Sequence, residues 1–207
     1  FQQYVESPDI KYVHVQVTPS QADKVALQKE FAGYAKELSA ADDPANIVRK
    51  SSSLVNYTGV PVAKSAFPSD IAAKLDSMSV GQTTGVINSR MDNTLNVIRL
   101  ISKQQLPDSV QYRQIQVGGA TAAAAHKSAD SIYAALNAGA DFEAIAKKYG
   151  QTGQKTWMTT QQYQGAPSMD NDTKNYINSL NTMSVNETKN IVLPQGNIIV
   201  QVLDRKG

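Results

Sequence analysis

The sequence predicts an α+β protein made of two tandem units, each a small, mostly antiparallel sheet with about three helices. Three observations predict it. Short segments recur in the same order along the chain. Runs of β-branched residues open and close each copy. Stretches with apolar residues three and four apart lie between those runs, as helices require.

The repeat comes first because it sets the plan. Tyr12-Val13-His14-Val15-Gln16-Val17 is mirrored by Tyr112-Arg113-Gln114-Ile115-Gln116-Val117, which shares its Tyr, its Gln and its final Val. Met78-Ser79-Val80-Gly81-Gln82-Thr83 is echoed by Met183-Ser184-Val185-Asn186-Glu187-Thr188. Leu95-Asn96-Val97-Ile98-Arg99-Leu100 is then set against Gly196-Asn197-Ile198-Ile199-Val200-Gln201. The expected units are 1–105 and 106–207, joined at Gln104-Gln105-Leu106-Pro107-Asp108, where Pro107 interrupts between two strands.

In the first unit, the strand Tyr12–Val17 leads to a helix after Pro19-Ser20, with Ser20 as N-cap and Val25, Leu27, Phe31, Tyr34 and Leu38 along it. The breaker Asp42-Asp43-Pro44 precedes a second helix near Ala45–Lys50, and Pro68-Ser69 caps a third over Asp70–Leu75. Strands are expected near Thr83–Asn88 and Thr94–Ile101.

In the second unit, Tyr112–Val117 is followed by an Ala-rich helix over Ala122–Asn137, with Ile132 and Leu136 on one face and Gly139 as its stop. Asp141 caps a short helix whose buried side carries Phe142, Ile145, Ala146 and Tyr149, and Gly150 ends it. A loop carries Trp157, a third helix covers Thr173–Leu180, and strands follow near Thr188–Leu193 and Asn197–Leu203 around the turn Pro194-Gln195-Gly196.

Composition excludes several classes. With 41% apolar and 18% charged residues, the chain has the balance of a globular protein. Its formal charge is +2 with Lys and Arg scattered, so no nucleic-acid footprint is present. The absence of cysteine rules out disulfides and thiolate metal sites, and two distant histidines make no metal constellation. No apolar run is long enough to span a bilayer, so no membrane contact is expected within this stretch. A first residue Phe1 rather than Met suggests a piece of a longer or processed protein, with any anchor outside it. Gly118-Gly119 lacks the Lys-Ser/Thr of a phosphate loop, no Gly-x-Ser-x-Gly occurs, and no cofactor is implied.

The stretch Gly139-Ala140-Asp141-Phe142-Glu143-Ala144-Ile145-Ala146-Lys147-Lys148-Tyr149 resembles the Gly-Ala-Asp-Phe-x-x-Leu-Ala-Lys-x-Tyr pattern of the parvulin (PpiC-like) peptidyl-prolyl cis-trans isomerases. Tyr112–Val117 is similar to their first strand and Gly196–Val202 to their last, so the resemblance spans Val110–Arg205. The first unit joins it through the repeat. The arrangement resembles the periplasmic chaperone-isomerases of the SurA and PpiD type, in which 1–10 would be the end of a preceding helical module. The resemblance implies a folding factor of the periplasm or cell envelope that binds unfolded or proline-containing polypeptides. The alternative is a non-catalytic scaffold that positions an active domain elsewhere in a longer chain.

Parvulins face two histidines across the central strands. On that pattern the second unit places Gln114 and Asn197, and the first places His14 and Asn96, so neither has the pair. Prolyl isomerisation breaks no bond: it crosses a rotational barrier of roughly 20 kcal/mol. An apolar cradle with an ordered polar network can lower it, and Gln114 and Asn197 each carry donors and an acceptor. The pattern thus implies weak or absent activity. Trp157, Met158, Tyr176 and Ile177 are the expected peptide-binding residues, the competing reading being that such side chains close the core over the sheet. His14 is either the survivor of a histidine pair or an ordinary strand histidine. His126 is expected to be a solvated helix residue, and Met78 and Met183 core filler.

Overall fold

The computed structural model describes residues 9–17, 23–51, 53–55, 57–163, 166 and 169–207, the first of these stretches by its backbone alone. Ser20 and the side chain of His14 lie outside the described residues. The chain divides into two compact units, Phe1–Leu106 with Thr160–Met169, and Pro107–Thr159 with Asp170–Gly207.

In the first unit β1 (Asp9–Val17) is followed by α1 (Lys24–Ala40), α2 (Pro44–Lys50), β2 (Val62–Ala63), α3 (Ser69–Ser77), β3 (Ile87–Ser89) and β4 (Thr94–Gln104). The strands form an antiparallel sheet in the order β2-β1-β4-β3. Along β4 the side chains alternate between two cores, because successive residues of a strand point to opposite faces. Leu95 and Val97 pack with Phe31, Leu38, Ile47 and Val48 of α1 and α2. Ile98 and Leu100 pack with Ile71 and Leu75 of α3 and with Met78. Val25, in the first turn of α1, is 84% exposed.

The second unit runs β5 (Ser109–Val117), α4 (Ala122–Asn137), α5 (Phe142–Lys148), β6 (Thr156–Thr159), α6 (Asn171–Thr182), β7 (Thr188–Leu193) and β8 (Gly196–Lys206), with antiparallel strand order β6-β5-β8-β7. Each helix has a side-chain cap: Thr121 accepts from the Ala124 amide, Asp141 from Ala144 and Asp170 from Thr173. Gly139 and Gly150 follow α4 and α5 with φ of +95° and +70°, the left-handed backbone that ends a helix. Ile115, Val117 and Ile199 of the sheet meet Ala129 and Ile132 of α4 and Phe142, Ile145 and Ala146 of α5. Each Ile, Val or Phe side chain so buried contributes about 1.5–3 kcal/mol. Tyr149, expected with them, is 41% exposed at the C-cap of α5.

Three expectations are corrected. A short edge strand follows the second helix of each unit, and one of them, β6, holds Trp157, which was expected in a loop. The third helices are longer than expected at both ends. The last repeat segment is shifted by one residue. Both sheets carry an irregularity at the same place, between Lys11 and Tyr12 and between Gln111 and Tyr112, beyond which Tyr12 pairs with Leu100 and Tyr112 with Val202. In each unit the turn after the third helix bonds to that same residue: Gly81 N–H donates to Leu100 O, and Asn186 N–H to Val202 O. Leu100 therefore corresponds to Val202, Leu95 to Asn197 and Asn96 to Ile198.

Candidate active site

Because Ile115 and Val117 point to α4 and α5, the alternating residues Tyr112, Gln114 and Gln116 point to the face covered by α6. Antiparallel register sets Ile198 of β8 opposite Gln116, on that same face. There Tyr112, Gln114, Gln116, Tyr176, Leu193 and Ile198 line a cavity of 330 Å³, with Asp170, Asp172 and Thr173 from the start of α6 at its rim. The Tyr112 and Tyr176 rings meet edge to face, 6.2 Å between centroids.

Tyr176 O–H donates to Gln114 Oε1. Burial, with the neighbouring Tyr112, pushes the Tyr176 hydroxyl well above the ordinary tyrosine value, so it remains a donor throughout the physiological pH range. The bond fixes the Gln114 amide with its oxygen toward Tyr176 and its NH₂ available to the cavity. A second cavity of 380 Å³ adjoins the same three β5 residues on the side of β6, lined by Gln151, Thr152, Gly153, Gln154 and Thr156. Gln151 closes one end of it: its Oε1 accepts from Gln116 N–H at 2.8 Å and its Nε2 donates to Gln116 O at 2.6 Å.

The expected partner of Gln114 is elsewhere. Asn197 pairs with Val117 and so belongs to the opposite face of the sheet, where it is 3% exposed. Its Oδ1 meets His126 Nδ1 of α4, and its Nδ2 donates to Asn190 Oδ1 at 2.7 Å. Gln114 and Asn197 therefore do not share a site, and the facing position is held by the apolar Ile198. His126, expected in solvent, is half-buried in this network. Nothing local to α4 in the sequence signals a partner 71 positions away.

Of the expected peptide-binding residues, Tyr176 alone lines these cavities. Trp157 pairs with Gln111 while its neighbour Thr156 pairs with Tyr112, so Trp157 falls on the other face, under Lys206 Nζ at 4.6 Å from the ring centroid. Met158 and Ile177 are core residues, and Met183 and Met78 are buried as expected. In the first unit, β1 register sets Ile98 opposite His14 and Asn96 opposite Gln16. Asn96 is fully buried, with Nδ2 donating to Thr94 Oγ1 at 2.9 Å. Gln116, Gln151, Gln154 and Ile198 were missed by sequence reasoning, three of them because glutamine in a polar sequence carries no signal of its own.

The site joins aromatic and aliphatic walls to side-chain amides and hydroxyls. Such a surface can hold a polypeptide and favour one geometry of its amide over another. Among the described residues, no three His, Asp or Glu side chains come together as a metal site. No match is found among the curated proteins. The family model of the PPIC-type PPIASE domain matches residues 95–206, from β4 through the whole second sheet and its three helices. That match covers more than half of the chain, which belongs to the PPIC-type peptidyl-prolyl isomerase domain family.

Proposed function

We propose that the chain is a protein-folding factor in which two tandem copies of this domain act on unfolded or proline-containing polypeptide. The second copy holds the proline in the cavity between α6 and the β5–β8 face. The observation that carries this reading is the convergence of Tyr112, Tyr176, Leu193 and Ile198 around a Gln114 amide that Tyr176 has already oriented. The rings and aliphatic walls suit a pyrrolidine, and the amide donor can bond the twisting peptide group.

The polar network is one-sided, because Ile198 occupies the position facing the β5 amides. Losing one preorganised donor typically costs about 10²–10³ in rate. Isomerase activity in this chain is accordingly weak, and chaperone-like binding is the main role. The periplasm or cell envelope, implied by resemblance alone, is part of the same proposal. For the first unit, the full burial of Asn96, at the position where Ile198 opens onto a cavity, supports a structural or spacing module.

A protease-coupled cis–trans assay on X-Pro peptides, paired with suppression of aggregation of an unfolded client, tests the proposal. Wild type should suppress aggregation and catalyse slowly, and Tyr176→Ala should lose both while remaining folded. If a folded Tyr176→Ala protein keeps both activities, the site is misplaced. If wild type shows neither, the chain is a scaffold.

A further inference from the structure

Among the described residues, the β6-side edge of β5 is occupied at Tyr112 and at Gln116 but open at Gln114 between them. Asn186 N–H donates to Val202 O at 2.8 Å and Val202 N–H to Glu187 O at 3.2 Å, so the Val202 main chain turns away from β5. Alternation along β8 turns Val200 and Ile198 the same way, leaving Asn197, Ile199 and Gln201 to bond with Val117, Ile115 and Arg113. The N–H and C=O of Tyr112, Gln114 and Gln116 must then point to the β6 side. Gln116 confirms it through its two bonds to Gln151. Tyr112 is opposite Thr156, the first residue of β6. Among the described residues Gln114 has no main-chain partner on that side, and the 380 Å³ cavity lies against it.

The lining has one chemical character. Gln114, Gln116, Gln151, Gln154, Thr152 and Thr156 are uncharged donors and acceptors. A half-buried strand residue with both main-chain groups open, amid side-chain amides, matches the chemistry of another polypeptide main chain.

We infer that this cavity is a main-chain slot: an extended polypeptide segment enters in line with β6 and pairs with Gln114. The incoming residue accepts from Gln114 N–H and donates to Gln114 O, extending the line of β6 by one bridge. Recognition at this point is independent of side chain, which is what a factor acting on varied unfolded chains needs. The inference rests on the proposed binding of polypeptide over β5 and adds the group that is read.

The probe is a fluorescein-labelled hexapeptide, Ala-Ala-Leu-Pro-Leu-Ala, its ester analogues in which each replaceable amide N–H in turn becomes oxygen, and its Pro-to-Ala analogue, all followed by anisotropy with the full chain. One ester position should weaken binding by about 5- to 10-fold, the worth of one neutral hydrogen bond. Gln114→Pro, which deletes an N–H that the β5–β8 ladder does not use, should melt like Gln114→Ala yet bind the hexapeptide about 5- to 10-fold more weakly. Ester peptides that all bind like the parent would overturn the slot while leaving the proline cavity standing if the Pro-to-Ala peptide binds poorly. A Gln114→Pro protein that fails to fold overturns the assignment of that N–H, and a hexapeptide that does not bind at all overturns both readings.

Discussion

Substituting Asn197 and Ile198, neighbours on β8, should separate stability from binding, because the two side chains lie on opposite faces of one strand. Asn197 is buried on the α4 face in a chain of hydrogen bonds with a fixed direction. Asn190 Nδ2 donates to Asp130 Oδ1 at 3.1 Å, so Asn190 Oδ1 is free to accept from Asn197 Nδ2, and Asn197 Oδ1 accepts from His126 Nδ1–H. Asn197→Ala removes two of these bonds and strands a donor on His126 and an acceptor on Asn190. At about 1 kcal/mol net for each bond, the loss is about 2 kcal/mol. For a domain of this size that lowers Tm by about 8–16 °C. The single tryptophan, Trp157 in β6, makes fluorescence a reporter of the second unit alone. Peptide affinity of the folded Asn197→Ala protein should stay within about twofold of wild type, as a change off the binding face leaves contacts intact. Ile198→Ala should show the reverse, weaker binding with a smaller loss of stability. An Asn197→Ala protein that melts like wild type but has lost peptide affinity would refute the assignment of faces.

Three further outcomes follow from particular contacts. Tyr176→Phe frees the Gln114 amide and should reduce kcat/KM several-fold with no change in its dependence on pH between neutral and mildly alkaline; because burial raises the native hydroxyl above its ordinary value of 10.0, the stability Tyr176 contributes is complete below that pH and lost above it, and denaturant melts across that range should show the fall diminished in the variant. Gln151→Leu removes both bonds to the Gln116 main chain and should destabilise the second unit by about 1–2 kcal/mol, with faster hydrogen exchange at the Gln116 amide as the direct readout. Gly196→Ala places a Cβ 2.5 Å from Val117 O, where the β7–β8 turn meets the end of β5, and should cost about 1–3 kcal/mol in urea unfolding.

Helices were legible where local chemistry defines them. Thr121, Asp141 and Gly139 signal their ends within a few residues, so α4 has the bounds the sequence predicts and α5 starts where expected, ending one residue early at Lys148. The edge strands β2 and β6 have two and four residues, too short for alternation to declare itself. The site was misread for a different reason. Matching Asn96 to Asn197 by letter shifts β8 by one residue, and a one-residue shift sends every side chain to the other face. That slip placed Asn197 opposite Gln114 and hid Ile198. The register is set by the irregularity beside Tyr112 and by the Asn186 turn bonding to Val202, neither of which leaves a mark in composition or periodicity. Trp157 was expected in a pocket-forming loop, whereas its place in β6, paired with Gln111, decides the face it serves.

The most direct test of the account is a backbone NMR titration of the chain with a proline-containing hexapeptide. The account predicts shifts concentrated at Gln114, Gln116, Tyr176, Leu193 and Ile198, with the His126–Asn197–Asn190 network and the Trp157–Lys206 pair undisturbed. Shifts centred on Asn197, His126 and Trp157 instead would place the polypeptide on the α4 face and contradict it.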